Sequence, residues 1–164
     1  MSSTIQKITP NLWFDFQAEE AAEFYVSLFR NSAIRKVTRY GKESYDKSFE
    51  GKAMTVDFEL EGQRFIGLNG GPQFRFTEAI SFVVHCDDQA EVDRLWDGLS
   101  AGGDVEAQQC GWLKDQFGVS WQIVPKRLNE LLSGGDPERS GRVMKALLQM
   151  KKIDIPTLEQ AYEG

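Results

Sequence analysis

The sequence predicts an α+β fold: two tandem βαβββ units over residues 1–125, at about 5–70 and 78–125, and a helical extension over 126–164. Three observations predict it. Short runs alternate apolar and polar residues with the period of two that sends strand side chains to opposite faces. Two stretches carry an apolar stripe at helical spacing, each just after a leading strand. The order then restarts past the breaker Asn69-Gly70-Gly71-Pro72. A shift of 72 residues lays Asp15-Phe16-Gln17-Ala18-Glu19 over Asp87-Asp88-Gln89-Ala90-Glu91, and Phe24 over Trp96.

The elements follow in order. A first strand is expected over 7–16, with Pro10, Leu12 and Phe14 on one face and Asn11, Trp13 and Asp15 on the other. A helix over 18–29 buries Ala21, Phe24, Tyr25 and Leu28 and stops at Asn31. A strand over 34–40 and a polar loop over 41–51 lead to a hairpin, in which Met54, Val56, Phe58 and Leu60 alternate with polar residues before Glu61-Gly62 turns the chain. In the second unit Ile80, Phe82 and Val84 form the helix-facing side of a leading strand, and Ser81, Val83 and His85 the opposite side. Asp88 caps a helix with the stripe Val92, Leu95, Trp96 and Leu99. Strands are expected over 105–110, 111–114 and 119–124, the last pair turned by Asp115-Gln116-Phe117-Gly118. In the tail, Asp136-Pro137 starts a helix with Val143, Ala146, Leu147 and Met150 on one side. Asp154-Ile155-Pro156 starts another, carrying Leu158, Ala161 and Tyr162.

Composition bounds the function. Of 164 residues 41% are hydrophobic, enough for a packed core, and the net charge of −6 disfavours nucleic acid and anionic membranes as partners. The start Met1-Ser2-Ser3-Thr4-Ile5-Gln6-Lys7 lacks the apolar centre of a signal peptide, and no apolar run approaches the ~20 residues of a membrane span, so a cytoplasmic location is expected. Two cysteines, Cys86 and Cys110, suit free thiols in a reducing compartment. A single histidine, His85, rules out chemistry that needs two imidazoles.

Particular stretches go further. Trp13-Phe14-Asp15, Glu19-Glu20-Ala21-Ala22-Glu23-Phe24-Tyr25, Gly62-Gln63 and Leu68-Asn69-Gly70-Gly71-Pro72 occur in the first half. The second half has Ser81-Phe82, Cys110-Gly111-Trp112-Leu113-Lys114-Asp115 and Phe117-Gly118-Val119-Ser120-Trp121-Gln122-Ile123-Val124-Pro125, and the tail has Arg142-Val143-Met144 and Met150-Lys151-Lys152-Ile153-Asp154. With these the chain resembles the PhnB-like "3-demethylubiquinone-9 3-methyltransferase" domains of the glyoxalase/bleomycin resistance/dioxygenase (vicinal oxygen chelate) superfamily. The resemblance implies that each unit is a half-barrel with its helix outside, and that the two cups hold a small molecule. It also suggests a homodimer.

Side-chain parity then supplies candidates. Asn11, Trp13, Ser81, His85, Ser120 and Gln122 are expected to bind the ligand, Trp13 as a platform for a flat or hydrophobic molecule. His85 and then Asp57 are the first candidates for a general acid or base, and Cys110 for a nucleophile activated by His85; a hydrogen-bonded wall histidine and an inert thiol are the simpler expectations. Metal-dependent relatives place His, Gln or Glu on the leading and final strands of each unit. Here Pro10 or Asn11, Leu68 or Asn69, Ser81 and Gln122 stand at those places, so no metal and no other cofactor is expected. The methyltransferase label finds no support either, because no glycine-rich turn follows a strand in the way a methyl-donor site needs. Three readings stay open: a metal-independent binding or catalytic protein, a metal-dependent lyase, isomerase or dioxygenase, and a non-enzymatic sequestering binder of resistance-protein type.

Overall fold

A computed structural model describes residues 6–164; the polar start over 1–5 lies outside the described residues. The chain forms two compact units, residues 1–75 and 76–164, with the tail helices in the second.

In the first unit β1 (Asn11–Phe14) leads into α1 (Ala18–Leu28), and β2 (Ala33–Arg39), β3 (Ala53–Leu60) and β4 (Gln63–Asn69) follow in a sheet of order β1-β4-β3-β2. β1 runs parallel to β4, and the other pairs are antiparallel. The alternation reads out in burial: Leu12, Phe14, Val56, Phe58, Leu60 and Phe65 are buried on the side of α1. On the helix Ala18, Ala21, Ala22, Tyr25 and Phe29 are buried, whereas Phe24 and Leu28 sit half-buried at the stripe's edge. Small alanines at the centre let α1 lie close to the sheet, which displaces the expected stripe by one position: the Ala18 Cβ lies 3.1 Å from where a side chain on Gly67 would start.

The second unit follows the same order with one strand fewer: β5 (Ser81–Cys86), α2 (Gln89–Ser100), β6 (Trp112–Lys114) and β7 (Ser120–Pro125), in the order β5-β7-β6. The repeat is visible in the helices, since α1 shifted by 72 falls on α2. Asp88 caps α2 by accepting from the Glu91 N–H at 2.9 Å, and Glu91 accepts from the Asp87 N–H at 2.8 Å. The stripe Val92, Leu95, Trp96 and Leu99 is buried as expected.

Two expectations for the second unit need correction. Residues 105–110 form no strand of the sheet: Val105–Ala107 is a 3₁₀ turn, capped by the Asp104 side chain on the Glu106 N–H, and Gln109 makes one isolated bridge to Trp112. Cys110 and Gly111 then adopt positive φ, which ends any extended run. Their N–H groups donate to the carbonyls of Met150 and Lys151 at 2.8 Å each, so tail backbone satisfies them. Ile80, expected against the helix, is 73% exposed because it precedes the first paired residue of β5.

The tail holds α3 (Lys126–Leu132), α4 (Pro137–Leu147) and α5 (Ile155–Glu163). α4 and α5 start where the sequence places them, on Asp136 and Asp154 caps. The three helices share a core of Leu128, Leu131, Val143, Leu147, Ile153 and Leu158, against which Cys110 and Val124 also pack. α2 grips the tail from its other side. Gln89 donates to the Ile153 carbonyl at 3.0 Å and accepts from the Ile155 N–H at 2.7 Å, and Lys152 pairs with Asp93 at 2.9 Å.

Candidate functional site

Each sheet buries one face under its helix and leaves the other to face away from it. In the first unit that other face is ordered in rows across the strands. Trp13, Leu68, Thr55 and Thr38 stand in register, all half-buried, and Asn11, Ile66, Asp57 and Lys36 form the next row. A third row carries Glu59 and Arg64.

Trp13 is held by its surroundings. Its indole N–H donates to the Gly71 carbonyl at 2.8 Å, and Phe74 meets the ring edge-on with centroids 4.9 Å apart. Gly70 must lack a side chain, because a Cβ there would lie 2.2 Å from the ring. The Asn69-Gly70-Gly71 breaker is therefore the seat of Trp13 as well as a turn. Asn69 has its own task. Its Oδ1 accepts from the Ala18 N–H at 2.9 Å and its Nδ2 donates to the Ala53 carbonyl at 3.1 Å, so it caps α1 from across the sheet, where Gln17 makes no cap. It lies fully buried on the helix side, away from the face that holds Trp13. No local pattern in the sequence could show this, since Ala18 is 51 residues away.

Asp57 faces Arg64 at 3.6 Å and Glu59 faces Arg35 at 2.9 Å. The Arg35 hydrogen bond holds the Glu59 carboxyl below the usual carboxylate range. Asp57 sits among these paired charges, which is the setting of a solvated ion-pair patch.

In the second unit, register places Ser81, Ser120 and Lys114 in one row, Val83, Gln122 and Trp112 in the next, and His85 with Val124 in a third. Gln122 Nε2 donates to Ser81 Oγ at 3.0 Å across the β5–β7 pair. Ser120 is fully buried, Gln122 is half-buried and His85 is exposed. His85 lies on β5, and Cys110 precedes Gly111, whose carbonyl accepts from the Ile123 N–H of β7, so β7 runs between them and two strand spacings amount to about 10 Å. The Cys110 thiol receives the Gln109 amide at 3.3 Å and packs on the tail core. Cys86 is buried, and burial pushes its thiol up to about 12, which leaves it un-ionised at neutral pH.

Asp115 stands in the turn expected between the last two strands. It is buried, and its carboxylate accepts from the Phe117 and Val119 N–H groups at 2.8 and 3.0 Å and from the Trp121 indole at 2.9 Å. It therefore builds the turn into β7 and fixes Trp121, a structural role.

The places that hold a metal in metal-dependent relatives do not fit one here. Both amide atoms of Asn69 are committed to backbone, and the Gln122 amide is oriented by Ser81. Among the described residues no three of His, Cys, Asp and Glu come together as a cation would need.

Comparison with known proteins agrees with this architecture. Residues 6–124 match the family described as 3-demethylubiquinone-9 3-methyltransferase, so the tail stretches quoted above lie beyond the matched span. The PhnB protein of Bacillus cereus is 35% identical, and the similarity covers 73% of this chain and 99% of that one with a TM-score of 0.64. Protein PA1353 from Pseudomonas aeruginosa shares the fold at 20% identity, covering 73% and 97% of the two chains with a TM-score of 0.60. No curated protein matches the chain. Sequence motifs, the element order and these similarities converge, and the chain belongs to the PhnB-like, 3-demethylubiquinone-9 3-methyltransferase family.

Proposed function

We propose that this protein binds a small organic molecule on the sheet faces turned away from α1 and α2, without a bound metal and as a homodimer. The observation that carries the reading is the half-buried polar pair Gln122–Ser81, oriented on the face opposite the buried Trp121 and Ile123. A side-chain amide fixed in this way can orient a ligand, and Trp13 and Leu68 offer apolar surface on the corresponding face of the first unit. Asn11, Ser81 and His85 line the rims of these faces. The exposed Ile80 and Val83 offer apolar area to a second copy.

Native mass spectrometry of the full chain, purified without chelator and mixed with a small-molecule cell extract, tests this. A dimer carrying an organic adduct is expected, retained in the presence of EDTA and reduced about tenfold or more by Gln122→Leu, the loss that one unpaired polar contact brings. An adduct that needs a divalent cation, or no adduct at all, contradicts the reading; a monomer contradicts its assembly.

A further inference from the structure

We propose that the row Trp13, Leu68, Thr55 and Thr38 is the seat of a flat, uncharged ring bearing a carbonyl or ether oxygen, with the threonine pair donating a hydrogen bond to that oxygen. This rests on the ligand-binding reading above and adds the chemical class of the group that the first unit's face would hold.

The argument is a proton count. Thr38 Oγ1 and Thr55 Oγ1 touch at hydrogen-bond distance across the β2–β3 pair, and Thr38 Oγ1 also accepts the Thr55 N–H at 3.2 Å. Two hydroxyls bring two protons, and their mutual contact uses one. Whichever oxygen donates, the other hydroxyl keeps a proton to give outward. Both side chains stand on the face away from α1, half-buried, in register with Leu68 and Trp13. A half-buried donor favours an acceptor over an apolar neighbour, because burying it without a partner is costly.

The rest of the row sets the shape. Trp13 cannot swing away, being held by the Gly71 carbonyl, by Phe74 and by the absence of a side chain at Gly70, so it presents a rigid flat surface. From Trp13 to Thr55 is two strand spacings, about 10 Å, which suits one or two fused rings lying over Leu68 with the oxygen toward the threonines. The row itself carries no charged side chain, so nothing within it calls for an ionic ligand. Beside it Asp57 faces Arg64 and Glu59 is bonded to Arg35, while Lys36 stands opposite Asp57 in the ladder.

The test uses the full-length chain and two probes of nearly the same shape, 1-tetralone and tetralin, which differ by one carbonyl. Amide and indole NMR signals are followed during titration. Shifts are expected at the Trp13 indole and the Thr38 and Thr55 amides, with 1-tetralone binding about threefold to tenfold more tightly than tetralin, the range of one neutral hydrogen bond. The substitutions separate the proton count from mere packing. Thr38→Val or Thr55→Val alone leaves one hydroxyl proton free and should keep the preference for the ketone; the double variant should bind both probes equally. Equal binding of the two probes by the unsubstituted protein overturns the proposal, and this comparison needs no variant to fold. A preference retained by the double variant overturns it too. Shifts confined to Ser81 and Gln122 overturn the assignment to this row but leave the small-molecule reading intact. Failure of both probes to bind overturns the ligand class, and the extract experiment then decides the broader reading separately.

Discussion

Asn69 shows what a single residue does in this fold. It joins three elements, taking the first free N–H of α1, bonding the start of β3 through Ala53, and lending its own carbonyl to the Tyr40 hydroxyl at 2.6 Å. Asn69→Ala would leave a buried N–H and a buried carbonyl without partners. A loss of about 2–6 kcal/mol is expected, from two such groups at about 1–3 kcal/mol each, read as a lower urea midpoint. An unchanged midpoint would mean that water replaces the amide. Parity alone made much of the site legible in the sequence, since one apolar face in β1 and β7 fixes where Asn11, Trp13 and Gln122 point. The tasks of Asn69 and Gly70 were not legible, nor was the hold of Asp115 on the Trp121 indole. Each depends on a neighbour brought close by folding, and the sequence gives such residues the same look as ordinary turn formers.

At the scale of elements, the strong signals were the amphipathic helices and the hairpin, whose periodicity follows directly from one-sided burial. The failures were local. Residues 105–110 contain apolar residues but lie between an Asp104 cap and the positive φ of Cys110, and the tail supplies the hydrogen bonds that a neighbouring strand would have made. α3 falls within the helical extension expected over 126–164, but its bounds were not legible although Leu128, Leu131 and Leu132 have helical spacing, because seven residues are too few for a clear period. The grip of α2 on the tail carries a pH prediction. Gln89 and then Lys152 hold the Asp93 carboxyl below its usual range, while bonding to Asp93 raises Lys152. The lowered carboxyl contributes stability that is present above the unfolded carboxylate pKa and lost as pH falls through the folded value. The raised ammonium contributes stability that is present below the unfolded lysine pKa and lost as pH rises through the folded one. Protection of tail amides from hydrogen exchange should thus form a plateau from about pH 5 to 9 and decline on both sides, with values near 4 and 10 as the unfolded references. In Asp93→Asn the declines due to this pair should vanish. A profile identical to that of the unsubstituted chain would show that the pair does not hold the tail.

For the whole molecule, the acidic and basic residues of 1–75 balance, so the net charge of −6 lies within 76–164. Among the described residues no helix is long and apolar enough to cross a membrane. Each unit has one buried sheet face and one that turns away from its helix, and the proposed ligand belongs on the second. Hydrogen–deuterium exchange of the full chain, with and without the adduct recovered from extract, measures this directly. Added protection should fall on β1, β3 and β4, on β5 and β7, or on both sets, with α4 and α5 unchanged. Protection confined to the tail helices would contradict the account.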